Sequence, residues 1–542
     1  MYFREGEYFF DSHVRIDRVD SGKENAPIIY RAYPGENVVF TGGYKIDKND
    51  FVKADVADIL SDKSKADKIV QLNIPEEINL SNELWRGAYS YNPIMQNITG
   101  ESGSNPVELF IDDKAMTVAR YPNVGFLYTG EVIKTGAKPG HWSITDPSKP
   151  NYVVPEDRVA TPFEIRVNDE RVKKWTGAEN ALLYGRWSDD WLDQTVPVGS
   201  IAADVITSKY PALYGVGENR PFYIYNLLEE IDSPGEYYID REKRILYLYP
   251  PENFHDIYLS VHEASGFFTL YYASNVEIRD ITMKCGRYRA VTISGGENNL
   301  VENCEIYNFA NHGIYIGGGQ NNGVKNCVIH DNNRGVYLSG GNRETLVLGN
   351  NFIKNCDIYS NDRISKTYSP GVEVHGVGNI VAHNKIHEAE HDLIELSGNE
   401  NIIEYNEIYK GITDSDDAGA LYSCRNATFR GNEIRYNYFH DIGGGKSGKW
   451  GKQAIFLDDF MSSAHIYGNV FHRIGGAAVK LAGSDNVVEN NIIVDCQTAP
   501  TAIDAQRRYY SDNNATPALF ESLAAVPYKG SVWSEKYPEL LS

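Results

Sequence analysis

A short phrase recurs along the second half of the chain and constrains the fold more than any other feature. It consists of an apolar residue, two variable positions, Asn or Cys, another variable position and a second apolar residue, as in Val301–Ile306. Its fourth position is Cys304, Cys327, Asn350, Asn384, Asn406, Asn432, Asn469 and Asn491, at intervals of 23, 23, 34, 22, 26, 37 and 22 residues. A period near 22 with Asn and Gly at the corners predicts the coils of a right-handed parallel β-helix, in which stacking buries each inner face.

The three long intervals predict insertions into this regular scaffold. We place them at about 355–369, 410–416 and 438–452. Each insertion follows a strand that begins at Asn and precedes the next Val/Ile strand, so all three are expected to leave the β-helix along one edge. Long loops on a rigid scaffold are where binding and specificity usually reside.

The rest of the chain predicts an all-β protein with an inserted domain. Residues 1–48 alternate apolar and polar side chains between Gly, Pro and Asn, which indicates the first strands of the β-helix. Residues 49–262 show no repeat and contain longer strand-like runs, which favour an inserted antiparallel β-sandwich-like domain. The parallel β-helix is expected to continue over 263–510, followed by an irregular C-terminal segment at 511–542.

Composition and charge exclude several classes of partner. The net charge of −22 and pI near 5.1 argue against nucleic acid and anionic membranes. No run of 18 apolar residues is present, so no membrane span is expected. The N-terminus lacks the profile of a signal peptide, which predicts either a cytoplasmic protein or one whose signal has been removed. The six cysteines form no CxxC pair, and we expect neither a metal site nor a cofactor.

Acidic residues accumulate where the predicted strands would present them to solvent. If the strand containing Val372 points that residue inward, the next residue in each coil faces outward. This outward column is predicted to be Thr292, Tyr315, Tyr337, Glu373, Glu395, Leu421, Phe456 and Lys480. Glu373 and Glu395 would then be direct neighbours about 4.8 Å apart. Two adjacent carboxyls raise each other's proton affinity. Such a pair can provide one protonated group as the general acid and one ionised group as the general base or nucleophile.

A specific set of motifs resembles a known family. They are Tyr33-Pro34-Gly35-Glu36, Ala119-Arg120-Tyr121-Pro122-Asn123, Ser415-Asp416-Asp417-Ala418-Gly419-Ala420 and Ile455-Phe456-Leu457-Asp458-Asp459. Together they resemble glycoside hydrolase family 141, whose members act on α-L-fucosides or xylan. The resemblance implies a glycoside hydrolase, with Asp417 and Asp458 as its catalytic carboxyls and Asp416 and Asp459 as close rivals.

The candidate site residues follow from both arguments, which favour different pairs. The column favours Glu373 with Glu395, whereas the resemblance favours Asp417 with Asp458. We therefore take Asp417, Asp458 and Glu395 as candidate catalytic residues. The candidate substrate-binding residues are Glu373, His375, His391, Asp392, Asp416, Asp459, His440, Trp450 and Tyr337. The expected substrate is an oligo- or polysaccharide, and the oligomeric state stays open.

Two other functions are compatible with the same fold. A polysaccharide lyase needs Ca²⁺ or a cation to neutralise a uronate, and only Lys452, Arg425 and Lys480 lie near the acids. A non-catalytic glycan-binding or tail-fibre protein predicts aromatic platforms without paired acids. The concentration of acids here favours the hydrolase over both alternatives.

Overall fold

A computed structural model describes residues 1–80, 106–136, 161–175, 180–423, 426–445, 449–503 and 515–541. The chain forms two compact units, divided at 42/43 and at 261/262. One unit joins Met1–Gly42 to His262–Ser542, and the other comprises Gly43–Val261. The boundary lies at 42/43 instead of 48/49, because the strand Gly43–Ile46 pairs with Ile257–Ser260 of the inserted unit.

The first unit is a right-handed parallel β-helix, as the repeat predicts. Three parallel sheets of 11 strands each run along it, and every complete coil contributes one strand to each sheet in the order A, B, C. Sheet A contains Tyr2–Phe3, Ile28–Ala32, Val276–Arg279, Leu300–Glu302, Gly323–Lys325, Phe352–Lys354, Ile380–Ala382, Ile402–Glu404, Glu433–Arg435, His465–Tyr467 and Val487–Glu489. Sheet B contains Gly6–Phe9, Val38–Thr41, Thr282–Gly286, Glu305–Phe309, Val328–His330, Asp357–Tyr359, Lys385–His387, Glu407–Tyr409, Tyr438–Ile442, Val470–Ile474 and Ile492–Cys496. Sheet C contains Val14–Asp17, Phe268–Tyr271, Val291–Ser294, His312–Gly317, Arg334–Gly340, Val372–Gly376, Ile394–Leu396, Ala418–Ser423, Lys452–Leu457, Val479–Leu481 and Thr501–Ile503.

The turn between sheets A and B explains why Asn and Cys recur. From Leu300 onward this turn has two residues, and the first of them is left-handed, as at Asn303 (φ 54°). The second residue points into the core. In successive coils it is Cys304, Cys327, Cys356, Asn384, Asn406, Asn437, Asn469 and Asn491. Each Asn side chain accepts a hydrogen bond from the backbone of the preceding coil, as Asn406 does from the Asn384 amide at 3.0 Å.

Two members of the predicted repeat are wrong, and the correction changes where the insertions lie. Ile353 stacks on Val324, and Ile434 stacks on Ile403, so Cys356 and Asn437 replace Asn350 and Asn432. The phrases around Asn350 and Asn432 lie instead in connections from sheet C to sheet A. The true intervals are 23, 29, 28, 22, 31, 32 and 22 residues.

The extra residues are shared between two edges of the β-helix. Three long connections join sheet B to sheet C, namely Tyr359 to Val372, Tyr409 to Ala418, and Ile442 to Lys452. They correspond to the three predicted insertions and do lie along one edge. Two further long connections, Gly340 to Phe352 and Ser423 to Glu433, lie on the edge between sheets C and A and were not predicted.

The inner faces of the three sheets form one continuous apolar core. In sheet C the inward column is Val372, Ile394, Leu421, Ile455 and Val479, all fully buried. Burying each such side chain stabilises the fold by about 1.5–3 kcal/mol before conformational entropy is subtracted. Leu421 points inward, so the prediction that it faces outward is wrong. Tyr422 takes the outward position between Glu395 and Phe456.

Among its described residues, the inserted unit contains three further sheets, in which all pairs but one are antiparallel. The four-stranded sheet has the order Lys114–Ala115, Leu109–Ile111, Ile257–Ser260, Gly43–Ile46. The five-stranded sheet has the order Thr117–Val118, Glu236–Asp240, Ile245–Leu248, Val70–Asn73, Val52–Lys53, and its first pair is parallel. The eight-stranded sheet has the order Arg120–Tyr121, Pro221–Tyr225, Leu182–Gly185, Gln194–Ala202, Val205–Ser208, Glu164–Arg166, Val132–Lys134, and Leu127–Tyr128 pairs with its second strand.

The C-terminal segment is helical in its described part, not irregular as predicted. Helix α1 spans Ala515–Ala524 and helix α2 spans Ser531–Lys536. Buried Trp533 donates its indole N–H to the Arg343 carbonyl at 2.8 Å, which ties α2 to the β-helix. Short 3₁₀ turns occur at Arg18–Asp20, Lys48–Asp50, Lys63–Lys68, Val172–Lys174, Leu228–Glu230, Gly443–Gly445 and Pro538–Leu541. None of the helices in the described residues has the length and apolarity required to span a membrane.

Candidate active site

The acidic residues singled out in the sequence lie on the outer face of sheet C and at both ends of its strands. The outward column has the order Tyr315, Tyr337, Glu373, Glu395, Tyr422, Phe456 and Lys480. Glu373 and Glu395 are paired neighbours in this column. The long B-to-C connections deliver further side chains to the start of the same strands.

Asp417 combines accessibility with a raised proton affinity. It is the last residue before the strand Ala418–Ser423 and has a left-handed backbone (φ 50°). Its side chain is 33% exposed, and Oδ1 lies 3.4 Å from Lys480 Nζ. Burial raises the pKa of Asp417, the Lys480 ammonium opposes this increase, and the nearby Asp416 and Asp459 carboxylates add to it. A carboxyl that keeps its proton beyond the usual range is suited to act as a general acid.

Asp458 lies at the other end of the neighbouring strand and is held by two donors. The Tyr422 hydroxyl donates to Oδ2 at 3.1 Å, and the Asp459 amide donates to Oδ1 at 2.9 Å. Asp459 and Phe460 are consecutive left-handed residues, with φ 33° and 68°. A bulky residue such as Phe460 rarely adopts this conformation, and such strain is concentrated at functional sites.

Two aromatic rings connect the carboxyls. Lys480 Nζ, which contacts Asp417, lies 4.2 Å from the centre of the Phe456 ring. The Phe456 ring lies 5.7 Å from the ring of Tyr422, whose hydroxyl contacts Asp458. The sequence placed Asp417 and Asp458 in adjacent coils, and the structure links both to the same pair of aromatic side chains.

Glu373 is an internal anion of the site. It is fully buried, and Oε1 accepts hydrogen bonds from Arg334 Nη1 at 2.8 Å and His312 Nε2 at 2.9 Å. Burial alone would raise its pKa, but Arg334 and His312 outweigh burial and hold the pKa of Glu373 well below its usual range. A carboxylate with no exposed surface cannot contact a substrate, so Glu373 is placed to orient its neighbours.

Glu395 has the opposite protonation preference although it is the next residue in the column. Burial, the Asp392 carboxylate and the Glu373 carboxylate raise the pKa of Glu395 well above its usual range. Asp392 is itself buried and lies 2.5 Å from Nδ1 of the buried His391. The partly exposed Glu395 therefore presents a neutral carboxyl, which can donate a hydrogen bond.

The remaining predicted residues fall into two locations. His375 stacks on Tyr337 at 4.8 Å between ring centres, within the sheet C face. Asp416 is buried and accepts hydrogen bonds from the backbone amides of Trp450 and Gly451 at 3.1 and 2.9 Å, so it holds the connection from Ile442 to Lys452 in place. The Trp450 side chain is half-exposed on that connection.

His440 lies apart from this site. It belongs to sheet B, where its ring stacks on Tyr409 at 4.8 Å with an interplanar angle of 7°. The stack continues through Tyr307, His330, Tyr359, His387, Tyr409 and His440, one residue for each coil. The imidazole is therefore a member of a ladder on another face, apart from the acids, and its role in substrate binding stays a prediction.

Several functional candidates were missed because they depend on register. The predicted register of the strand Ala418–Ser423 is shifted by one residue. It places Leu421 outward and therefore Tyr422 inward, whereas Tyr422 faces outward. The sequence alone does not single out Tyr368. Its ring packs 4.7 Å from His391 and 6.2 Å from Tyr422. Arg334 and His312 had no signal in the sequence, because their contact with Glu373 joins three coils.

The cations proposed for a lyase differ in availability. Lys452 is buried and donates to the Ile412 carbonyl at 3.1 Å. Lys480 is committed to Asp417 and Phe456. Arg425 lies outside the described residues. Within the described part of the chain, no group of three or more His, Cys, Asp or Glu side chains is arranged to hold a metal ion.

Comparison with known proteins agrees with this architecture. The family model for a right-handed β-helix region matches residues 252–369 and 370–517. No curated protein sequence matches the chain. A solved structure described as a glycoside hydrolase is similar at a TM-score of 0.61 and 14% identity, over 94% of this chain and 92% of that one. A structure of XylC with xylose aligns at a TM-score of 0.38 and 10% identity, over 91% and 80% of the two chains. At 14% identity, the similarity to the first of these structures is one of fold.

Proposed function

We propose that this protein is a glycoside hydrolase that cleaves oligo- or polysaccharides on the outer face of sheet C. The observation that carries the proposal is the series of contacts from Asp417 through Lys480, Phe456 and Tyr422 to Asp458. It provides two carboxyls on one aromatic-lined face. Glycoside hydrolysis generally requires two carboxyls that flank the scissile bond.

In this proposal the two carboxyls have separate roles. Asp417, whose pKa is raised, donates its proton to the departing glycosidic oxygen. Asp458 acts on the sugar carbon, either directly or through water, and the hydrogen bonds from Tyr422 and the Asp459 amide fix its orientation. The rings of Phe456 and Tyr422 supply an apolar surface between the carboxyls.

The Glu373–Glu395 pair has a supporting role. Glu373 is locked by Arg334 and His312, so its charge is fixed inside the protein. Glu395 stands next to Tyr422 in the column and can donate its carboxyl proton to a sugar oxygen. We infer from the family resemblance that α-L-fucoside or β-xyloside linkages are the first substrates to test.

Product analysis distinguishes the hydrolase from a lyase on the same fold. The protein is incubated with aryl α-L-fucoside, aryl β-xyloside, xylan and pectic polymers. We expect new reducing ends without the absorbance of an unsaturated uronate. Unsaturated product without net addition of water would replace the hydrolase with a lyase, and binding without turnover would favour a glycan-binding protein.

Substitution of each carboxyl by its amide tests the assignment. We expect Asp417→Asn and Asp458→Asn each to lower kcat by about 10²–10⁴-fold, the range typical of acid–base groups, with an unchanged melting temperature. Asp414→Asn is the matched control, because it makes the same change at an exposed position of the same connection. Full activity in either site variant, together with loss in Glu395→Gln, would transfer the catalytic role to Glu395.

A further inference from the structure

An arginine lies over the end of the aromatic column, away from the carboxyls. The guanidinium carbon of Arg289 is 3.9 Å from the centre of the Tyr315 ring and 4.5 Å from that of Tyr288. Tyr315 stacks on Tyr337 at 4.4 Å, and Tyr337 stacks on His375 at 4.8 Å. The cation therefore continues the stack that leads along the outer face of sheet C to the candidate active site.

Arg289 forms no ion pair with a carboxylate of the described residues. The Glu373 carboxylate acts on it only from a distance and is itself bound by Arg334 and His312. The Arg289 guanidinium also makes no hydrogen bond with the described residues, and its Nε is buried without a hydrogen-bond partner. Arg15 provides the contrast, because it lies in the same outward column and over the Tyr271 ring but binds Asp17 at 2.9 Å.

Two aromatic faces hold this guanidinium in a fixed orientation. Contact with aromatic rings leaves the edge of the guanidinium, which carries its N–H donors, available to a ligand. The side chain is partly exposed, so a ligand can reach it. A partly buried guanidinium without an ion-pair partner gains most from an anion that presents two oxygens, because the fork of N–H groups can bind both at once.

We propose that Arg289 is a subsite for an anionic substituent of the glycan, the carboxylate of a uronic acid or a sulfate ester. The inference rests on the proposed function, which places a saccharide along this face. Five coil spacings separate the level of Thr292, beside Arg289, from Tyr422, or roughly 24 Å at 4.8 Å each. The anionic group therefore belongs to a sugar several residues from the scissile bond. The substrate is an acidic oligo- or polysaccharide.

Binding measurements test this subsite independently of turnover. The full chain carrying Asp417→Asn is titrated by calorimetry with an oligogalacturonate and with its methyl ester, in which methylation removes the carboxylate charge. Dextran sulfate and dextran form the second pair. We expect the charged member of one pair to bind at least about tenfold more tightly than its neutral partner, as a charge-assisted pair implies. The pair that shows the preference identifies the anion.

Variants at two arginines assign the preference to its residue. Arg289→Gln is expected to reduce the charged-to-neutral affinity ratio to about one, whereas Arg289→Lys, which keeps the charge without the fork, retains part of it. Arg15→Gln makes the same change in the same column and should leave the ratio intact. Equal affinities in the parent protein, or an unchanged ratio in both Arg289 variants, would overturn the subsite. Turnover of neutral glycans with no preference would overturn it without affecting the hydrolase proposal.

Discussion

At the scale of single residues, the candidate site works by giving similar carboxyls different proton affinities. Glu373 and Glu395 are adjacent on one face. Arg334 and His312 outweigh burial at Glu373, whereas burial and the Asp392 and Glu373 carboxylates act together at Glu395. Neighbouring groups that are pushed in opposite directions are typical of sites that perform acid–base chemistry.

The contact between Lys480 and Asp417 makes the pH dependence of activity testable. The ammonium lowers the pKa of Asp417 against the effect of burial. Lys480→Met removes this charge, so Asp417 should stay protonated to higher pH and the basic limb of the kcat profile should move upward. The measurement is kcat from pH 4 to 9.

Lys410→Met is the control for that profile. Lys410 is an exposed lysine of the same connection and pairs with Glu388 at 2.8 Å. Its removal should leave the profile in place. A basic limb that does not move in Lys480→Met, or moves to lower pH, would contradict the role of Asp417 as the acid.

At the scale of elements, the ladder of Asn side chains at the A-to-B turns fixes the register of the coils. Asn406 accepts from the backbone and side-chain amides of Asn384 at 3.0 and 2.9 Å. Its own amide donates to Val381 at 2.9 Å and to Asn437 at 3.0 Å. Every polar atom of this buried side chain is therefore hydrogen-bonded. These bonds align successive coils, including those that carry the strands of the site.

Asn406→Ala should weaken the β-helix markedly. The change leaves the buried Asn384 amide without its acceptor and opens a small cavity, for which we expect a loss of about 2–4 kcal/mol in unfolding free energy. Asn491→Ala, at the partly exposed end of the ladder, should lower it by less. Urea unfolding measures both variants. Equal losses of unfolding free energy would contradict the larger contribution expected of the buried Asn406.

At the scale of the whole molecule, two buried histidines couple stability to pH. Burial lowers the pKa of His262 and of His312 from 6.5 to about 4. Both are neutral in the folded state, whereas the unfolded chain takes up protons below pH 6.5. Their contribution is complete above pH 6.5 and is lost as the pH falls towards 4. Glu236 acts in the opposite sense, because burial raises its pKa to about 7.

His262→Phe isolates one of these contributions. The fully buried His262 ring packs against Phe267 at 4.7 Å, so an aromatic replacement keeps the contact and removes the titration. Relative to wild type, the variant should gain stability as the pH falls from 6.5 to 4, by up to roughly 3 kcal/mol. Thermal unfolding at pH 7, 5.5 and 4.5 measures this. His465→Gln, at a partly exposed histidine outside the core, is the control variant.

The sequence by itself determined the architecture of the β-helix. Asn and Cys at the A-to-B turns, and apolar residues at every second strand position, depend on local backbone geometry and on contacts between successive coils. Such features repeat and are visible as a period. The location of the acids on one face follows from the same period, and so does the pairing of Glu373 with Glu395.

Only the tertiary structure decided the register and the electrostatics of the site. The length of a connection does not reveal which strand it precedes, so the sequence pattern wrongly predicts Asn350 and Asn432 as ladder members and Leu421 as an outward residue. The proton affinities depend on side chains from several coils, such as Arg334 at Glu373 and Lys480 at Asp417. These contacts form between residues 39 and 63 positions apart, and their strength depends on burial. The physical reason is that the sequence period reveals only the turn and core residues that all coils share. The protonation of the site depends on side chains that occur in single coils.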